Sequence, residues 1–159
     1  MNEKVVLLVD DNDDDVELTL RSFKLHNLTN TVVVARNGQE AIDYVFAKGS
    51  YADRDSDQIP VLILLDLKMP VMDGLAVLRQ IRSNASTKRI PVVILTTSSE
   101  DKDKVSSYDL GANSYVSKPV NFDQFLEATR QLGLYWLLLN EPPPAGISGS
   151  SAAASMQRN

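Results

Sequence analysis

The run Val61-Leu62-Ile63-Leu64-Leu65, five aliphatic residues in succession ending on Asp66, constrains this chain more than any other feature. A strand with one face in water alternates apolar and polar side chains. A strand that is apolar throughout needs cover on both faces, which a parallel sheet flanked by helices provides. Residues 5–9, 31–35, 91–95 and 114–116 are likewise short runs rich in β-branched or aliphatic residues, and helical patterns separate the runs. Five β–α units predict an open, doubly wound α/β sheet. Asn37 with Glu40 and Asn121 with Gln124 read as capping boxes, and Glu100-Asp101 bring negative charge to a first helical turn.

At 159 residues, with 43% apolar and 23% charged side chains, the chain suits a single domain. That domain is expected over residues 1–141, with the Pro-, Ala- and Ser-rich stretch 142–159 a disordered tail. Residues 48–60 form a long polar loop, read either as a contact site or as slack. A net charge of −5 argues against nucleic acid as a partner, since phosphate binding needs a basic stripe. With no cysteine and a single histidine, His26, thiolate chemistry and Cys/His zinc sites are excluded, so any metal is a hard one held by oxygen. Met1-Asn2-Glu3-Lys4 opens no apolar leader and no run reaches transmembrane length, so no membrane partner and a cytoplasmic location are expected.

In open α/β sheets, ligands bind beyond the carboxyl ends of the strands. The residues there form a chemical set: Asp10-Asp11 after the first strand, Asp66 after the third, Thr96-Thr97 after the fourth and Lys118-Pro119 after the fifth. Carboxylates drawn together repel, by about 4 kcal/mol per pair at ~4 Å and an effective dielectric of 20. A divalent cation relieves this, and Mg²⁺ accepts one or two carboxylates plus phosphate oxygens. A metal at Asp11 and Asp66 would neutralise a phosphoryl donor and leave the Asp66 carboxylate as nucleophile, with Lys118 and Thr96 holding phosphoryl oxygens. Taken alone, Asp10, Asp11, Asp13, Asp14 and Asp15 read equally well as a solvated acidic turn. An EF-hand loop fails on register, because no start among these acids puts Gly sixth and Glu twelfth. The case rests on co-location.

Leu7-Leu8-Val9-Asp10-Asp11, Leu64-Leu65-Asp66-Leu67-Lys68-Met69-Pro70 with Asp73-Gly74, Leu95-Thr96-Thr97 and Tyr115-Val116-Ser117-Lys118-Pro119 resemble, in order and spacing, the receiver domain of response regulators in two-component signalling. The resemblance runs from about Lys4 to Gly133. It implies a flavodoxin-like sheet of five parallel strands in the order 2-1-3-4-5, flanked by five helices. It also implies Mg²⁺-dependent transfer of a phosphoryl group from a histidine-kinase phosphohistidine. Asp66 matches the phosphoacceptor and a metal ligand, Asp11 a direct ligand, Asp10 an acid acting through metal-bound water, and the Lys68 backbone carbonyl a further ligand. Lys118 matches the phosphate-binding lysine, and Thr96 and Tyr115 match the hydroxyl and aromatic ring of the switch pair.

Too few residues follow the fifth helix for a DNA-binding module, so the expected output is a protein contact. Leu134-Tyr135-Trp136-Leu137-Leu138-Leu139 is apolar nearly all round if helical. At ~100° per residue Leu134 and Leu138 would point away from Leu132 and Trp136, predicting a homodimer through the fifth-helix region. A Pro142-Pro143-Pro144 tail folded over that face is the alternative. The Tyr-Trp pair and Pro-rich extension resemble stand-alone regulators of bacterial phytochromes, which implies a phytochrome-type kinase as partner. One phosphorylation per signal, not turnover, is expected, so the chain is not read as an enzyme. A haloacid-dehalogenase-type phosphatase would need an acid where Lys68 stands. A non-phosphorylated pseudo-receiver scaffold is opposed by the complete acidic set.

Overall fold

The structure, a computed structural model, describes residues 4–28, 30–55, 57–69, 71–96, 109–118 and 122–134. The five apolar runs form β1 (Val6–Val9), β2 (Val32–Ala35), β3 (Leu62–Asp66), β4 (Val92–Thr96) and β5 (Ser114–Ser117). All pair in parallel in the order β2-β1-β3-β4-β5. The helices delimited among the described residues are α1 (Asp13–Leu25), α2 (Gly38–Val45), α3 (Gly74–Arg82) and α4 (Phe122–Gln131), α4 being the helix expected as the fifth. Residues 97–108, with the Glu100-Asp101 start, and Asn121 lie outside the described residues.

The side-chain period of two explains why unbroken apolar strands fit here. Leu7, Val9, Ile63, Leu65 and Ile94 point to one face and pack with Ile42, Val45, Val77, Leu78 and Ile81 of α2 and α3. Their neighbours Leu8, Leu62, Leu64, Val93 and Leu95 point to the other and pack with Val16 and Phe23 of α1 and Phe122, Phe125 and Ala128 of α4. Each such side chain contributes about 1.5–3 kcal/mol by leaving water, so neither face tolerates polar alternation. At the sheet's edges burial is less complete: β2 leaves Val32, Val33 and Val34 half-buried and β5 leaves Tyr115 half-buried.

Local signals set the helix ends. The Asn37 side chain accepts from Glu40 N–H at 2.9 Å, as the capping box predicts. The Glu40 carboxylate reaches one residue further than expected and accepts from Arg36 N–H at 2.9 Å. Asn12 and Asp73 cap α1 and α3 in the same way, accepting from Asp15 and Ala76 N–H. Helix α4 stops at Gly133, whose φ of 74° closes a left-handed cap in which Gly133 N–H donates to the Arg130 carbonyl and Leu134 N–H to the Thr129 carbonyl.

That cap corrects the expectation of a helix running on through Leu134. Leu132 and Leu134, the latter just past the left-handed residue, would be placed on opposite sides by helical geometry, yet both pack on the same core cluster. Tyr135 to Leu139, the remainder of the expected dimer surface, and the tail 142–159 lie outside the described residues.

Nor is the 48–60 loop slack. Helix α2 has no basic residue in its last turn. Arg54 supplies one from the loop, donating from Nε to the Tyr44 carbonyl at 2.8 Å and from a terminal nitrogen to the Val45 carbonyl at 3.0 Å. The guanidinium lies 4.3 Å from the Tyr44 ring centroid, and Tyr51 meets the same ring edge-on. A cation at a helix C-terminus compensates its free carbonyls, and stacking on the ring adds to that.

Candidate functional site: an acidic pocket closed by a lysine

Parallel pairing brings the carboxyl ends of all five strands to one edge. Asp10 directly follows β1, its N–H donating to the Ala35 carbonyl at the end of β2. Asp66 is the last residue of β3, and Lys118 directly follows β5. Asp66 and Thr96 belong to the strands themselves rather than following them, in register with Leu95 and Ser117 respectively. Ladder pairing thus holds the backbone under the Asp66 carboxylate. Gly74 opens α3 against the same strand end: a Cβ there would lie 2.4 Å from the Asp66 carbonyl oxygen, which is why Gly follows Asp73.

One carboxylate oxygen from each of Asp10, Asp11 and Asp66 lies within 4.8 Å of the others. Asp10 is fully buried and Asp66 nearly so, while Asp11 is exposed. Lys118 Nζ reaches into the group, 3.2 Å from Asp66 Oδ2 and 3.2 Å from Asp10 Oδ2. A third carboxylate, Asp15 Oδ2, is nearer still at 2.9 Å. Asp66 Oδ1 accepts from Lys68 N–H at 3.2 Å, and Asp10 Oδ1 from Asn12 N–H at 3.0 Å.

Burial pushes the Asp66 carboxyl above its usual range, and the Asp10 charge adds to that; the Lys118 ammonium and the Lys68 N–H work against it without prevailing. Burial alone would lower the Lys118 ammonium, but the hydrogen bond to Asp15 and the charges of Asp66 and Asp10 outweigh it and hold Lys118 above the ordinary lysine value. Four carboxylates against one ammonium leave a formal excess of three negative charges, held by oxygen donors. A hard divalent cation fits that donor set.

The pocket therefore unites Asp10, Asp11, Asp66 and Lys118, with Lys68 on its rim. Tyr115 is elsewhere: half-buried on β5 in register with Ile94, it packs against the core under α2 and α3. The side chain of Thr96 and the whole of Thr97, Ser98, Pro70 and Pro119 lie outside the described residues. Sequence reasoning missed Asp15, which it grouped with the solvated acids. Asp13 and Asp14 are exposed, but Asp15 lies one turn before the buried Thr19 and so shares its inward face. That i, i+4 relation was the available signal.

The response regulator receiver domain family matches residues 6–130. The chain belongs to that family. Response regulator Rcp1 of Synechocystis sp. is 36% identical over 134 residues, covering 84% of this chain and 89% of Rcp1. Among solved structures, the bacteriophytochrome response regulator AtBRR is 48% identical with a TM-score of 0.79, covering 89% of this receiver and 100% of that chain. The Mn(2+)-bound form of Rcp1 is 35% identical with a TM-score of 0.69, covering 89% of this receiver and 99% of that chain. AtBRR and RtBRR are bacteriophytochrome response regulators matched over 100% and 86% of their own chains, so the resemblance to stand-alone regulators of that kind holds. The fold expectation, order 2-1-3-4-5 included, holds as well. Among the described residues no helix is long and apolar enough to cross a membrane.

Proposed function

We propose that this receiver accepts a phosphoryl group on Asp66 in a Mg²⁺-dependent reaction and passes the signal on through a changed protein surface. The observation that carries this reading is the Lys118 ammonium set 3.2 Å from Asp66 Oδ2 beside the three clustered carboxylates. Asp10, Asp11, Asp66 and the Lys68 carbonyl would hold the cation. When bound, the cation supplies compensation for the charge of the incoming phosphoryl group. The Asp66 carboxylate, held by the Lys68 N–H at one oxygen and Lys118 at the other, forms the oxygen–phosphorus bond as the phosphorus–nitrogen bond to the donor imidazole breaks, the electron pair leaving on nitrogen. Lys118 then exchanges a carboxylate for a phosphoryl oxygen.

The new acyl phosphate also offers an acceptor to the Thr96 hydroxyl, and an inward turn of the Tyr115 ring would complete the switch. Phosphorylation happens once per signal, so the chain acts as a switch and not as an enzyme. The donor is a histidine kinase, and the likeness to AtBRR favours one of phytochrome type. A receiver domain over residues 1–141, in a cytoplasmic protein, fits this role. A homodimer is retained as a proposal on the apolar run Tyr135 to Leu139 alone, since Leu134 serves the core. A concentration-independent monomer in light scattering would remove it.

Incubation with Mg²⁺ and acetyl phosphate followed by intact mass tests the acceptor. A single phosphoryl adduct on the wild type, absent from Asp66→Asn, is the expected result. Folded wild-type protein with no adduct would refute the reading.

A further inference from the structure

Lys118 is more fully engaged than an acceptor site requires. An ammonium has three N–H donors, and here they face three different carboxylates: Asp15 at 2.9 Å and Asp10 and Asp66 at 3.2 Å each. An incoming phosphoryl oxygen can take a donor only by displacing one of them. The Asp10 side chain is 0% exposed and has no water to turn to, and Asp66, at 6%, is the reacting group itself. The Asp15 side chain is 22% exposed, so of the three it is the one that water can resolvate. A buried carboxylate stripped of its partner costs far more than one that regains water.

Asp15 also stands outside the trio Asp10, Asp11 and Asp66. Among the described residues Lys118 is the cation paired with Asp15, so a cation held by that trio would not take over this contact. We infer that Asp15 is a positioning residue that restrains Lys118, and that the Lys118–Asp15 ion pair must open before the lysine can hold a phosphoryl oxygen. The inference rests on the acceptor reading above. It gives the pocket a built-in reserve: the lysine is kept seated and charged over Asp66, yet its full strength is withheld until an anion competes Asp15 away.

The test is calorimetric titration of the full chain with beryllofluoride, a phosphoryl mimic, at saturating Mg²⁺. Asp15→Asn should bind about five-fold tighter than wild type, the scale of one partly exposed ion pair. Its affinity for Mg²⁺ alone should not rise, since a nearby negative charge is lost, and Asp15→Glu should return beryllofluoride binding to the wild-type value. Asp13→Asn removes the same charge from the same helix turn, but at a 79% exposed side chain paired with Arg36, and should change nothing. Structural damage would weaken binding, so a gain is not what a merely structural Asp15 gives. Equal or weaker binding by Asp15→Asn, or an equal gain in Asp13→Asn, overturns the restraint while leaving the acceptor site standing. No beryllofluoride binding by wild type overturns the acceptor reading and the restraint together.

Discussion

Two cations are drawn into the body of the protein at opposite edges of one sheet, and their surroundings differ in kind. At the carboxyl edge Lys118 faces the carboxylates of Asp10, Asp15 and Asp66. Where the chain enters β4 and β5, Arg82 of α3 faces neutral dipoles: the carbonyls of Gly111 at 2.9 Å, Lys88 at 3.1 Å and Ile90 at 2.8 Å, and Asn113 Oδ1 at 3.0 Å. Asn113 Oδ1 accepts from Val92 N–H as well, so Arg82 ties α3 to the starts of both strands. Burial without a charged partner lowers the Arg82 guanidinium below its ordinary value, whereas the carboxylates raise Lys118. Fixed backbone acceptors have nowhere else to go, so Arg82 is a fastening. Asp15, the one partly exposed carboxylate facing Lys118, can turn to water instead, so Lys118 can exchange.

The largest expected effect comes from removing the exchangeable cation. Lys118→Met leaves the buried Asp10 and Asp66 uncompensated and should cost roughly 3–5 kcal/mol in urea unfolding without Mg²⁺. Added Mg²⁺ should recover part of that loss. Arg82→Met should cost less, about 2 kcal/mol, because only neutral acceptors lose a partner, and Mg²⁺ should recover none of it. Equal rescue of both variants by Mg²⁺ would erase the distinction between the two cations.

The pH dependence follows from the shifts. For Lys118, with a folded value raised above the ordinary 10.5, the stabilisation is fully present below about that pH and is lost as pH rises through the folded value. Thermal melts between pH 6 and 9 should therefore show no loss from this pair. Asp66 runs the other way: a raised carboxyl means that its ionised form burdens the folded state above the folded pKa, and the burden vanishes once pH falls below 3.8. In Mg²⁺-free buffer at pH 7, Asp66→Asn should be the more stable protein, by on the order of 1 kcal/mol. Mg²⁺ should reverse that order by stabilising only the wild type. The smallest effect belongs to an ion pair in water: Arg21 and Glu17 are 68% and 67% exposed, and Glu17→Gln should change stability by less than about 0.5 kcal/mol.

Much of the pocket was legible because its parts sit at positions that local patterns announce. Asp10, Asp66 and Lys118 each lie at the carboxyl end of an apolar run, and parallel pairing of such runs has only one edge to bring those ends to. The helix cap at Asn37 was legible for the same reason, since spacing along the chain determines it. Illegible were the contacts made by long side chains across the fold. Nothing beside Arg54 or Arg82 in the sequence indicates that either would reach backbone carbonyls, because carbonyls occur at every residue and carry no signature.

The amino-acid sequence by itself determined the class of fold, the strand ends that carry the acids and the lysine, and the oxygen-only chemistry open to a chain without cysteine. Tertiary structure alone decided which of the five acids near the first helix face Lys118, and that Leu134 folds onto the core and does not extend a second apolar face. The physical reason is one of range. Periodicity and end signals act within a turn or two of the chain, whereas the partner of a buried charge, or the fate of a residue beyond a left-handed cap, depends on what the rest of the fold has placed beside it.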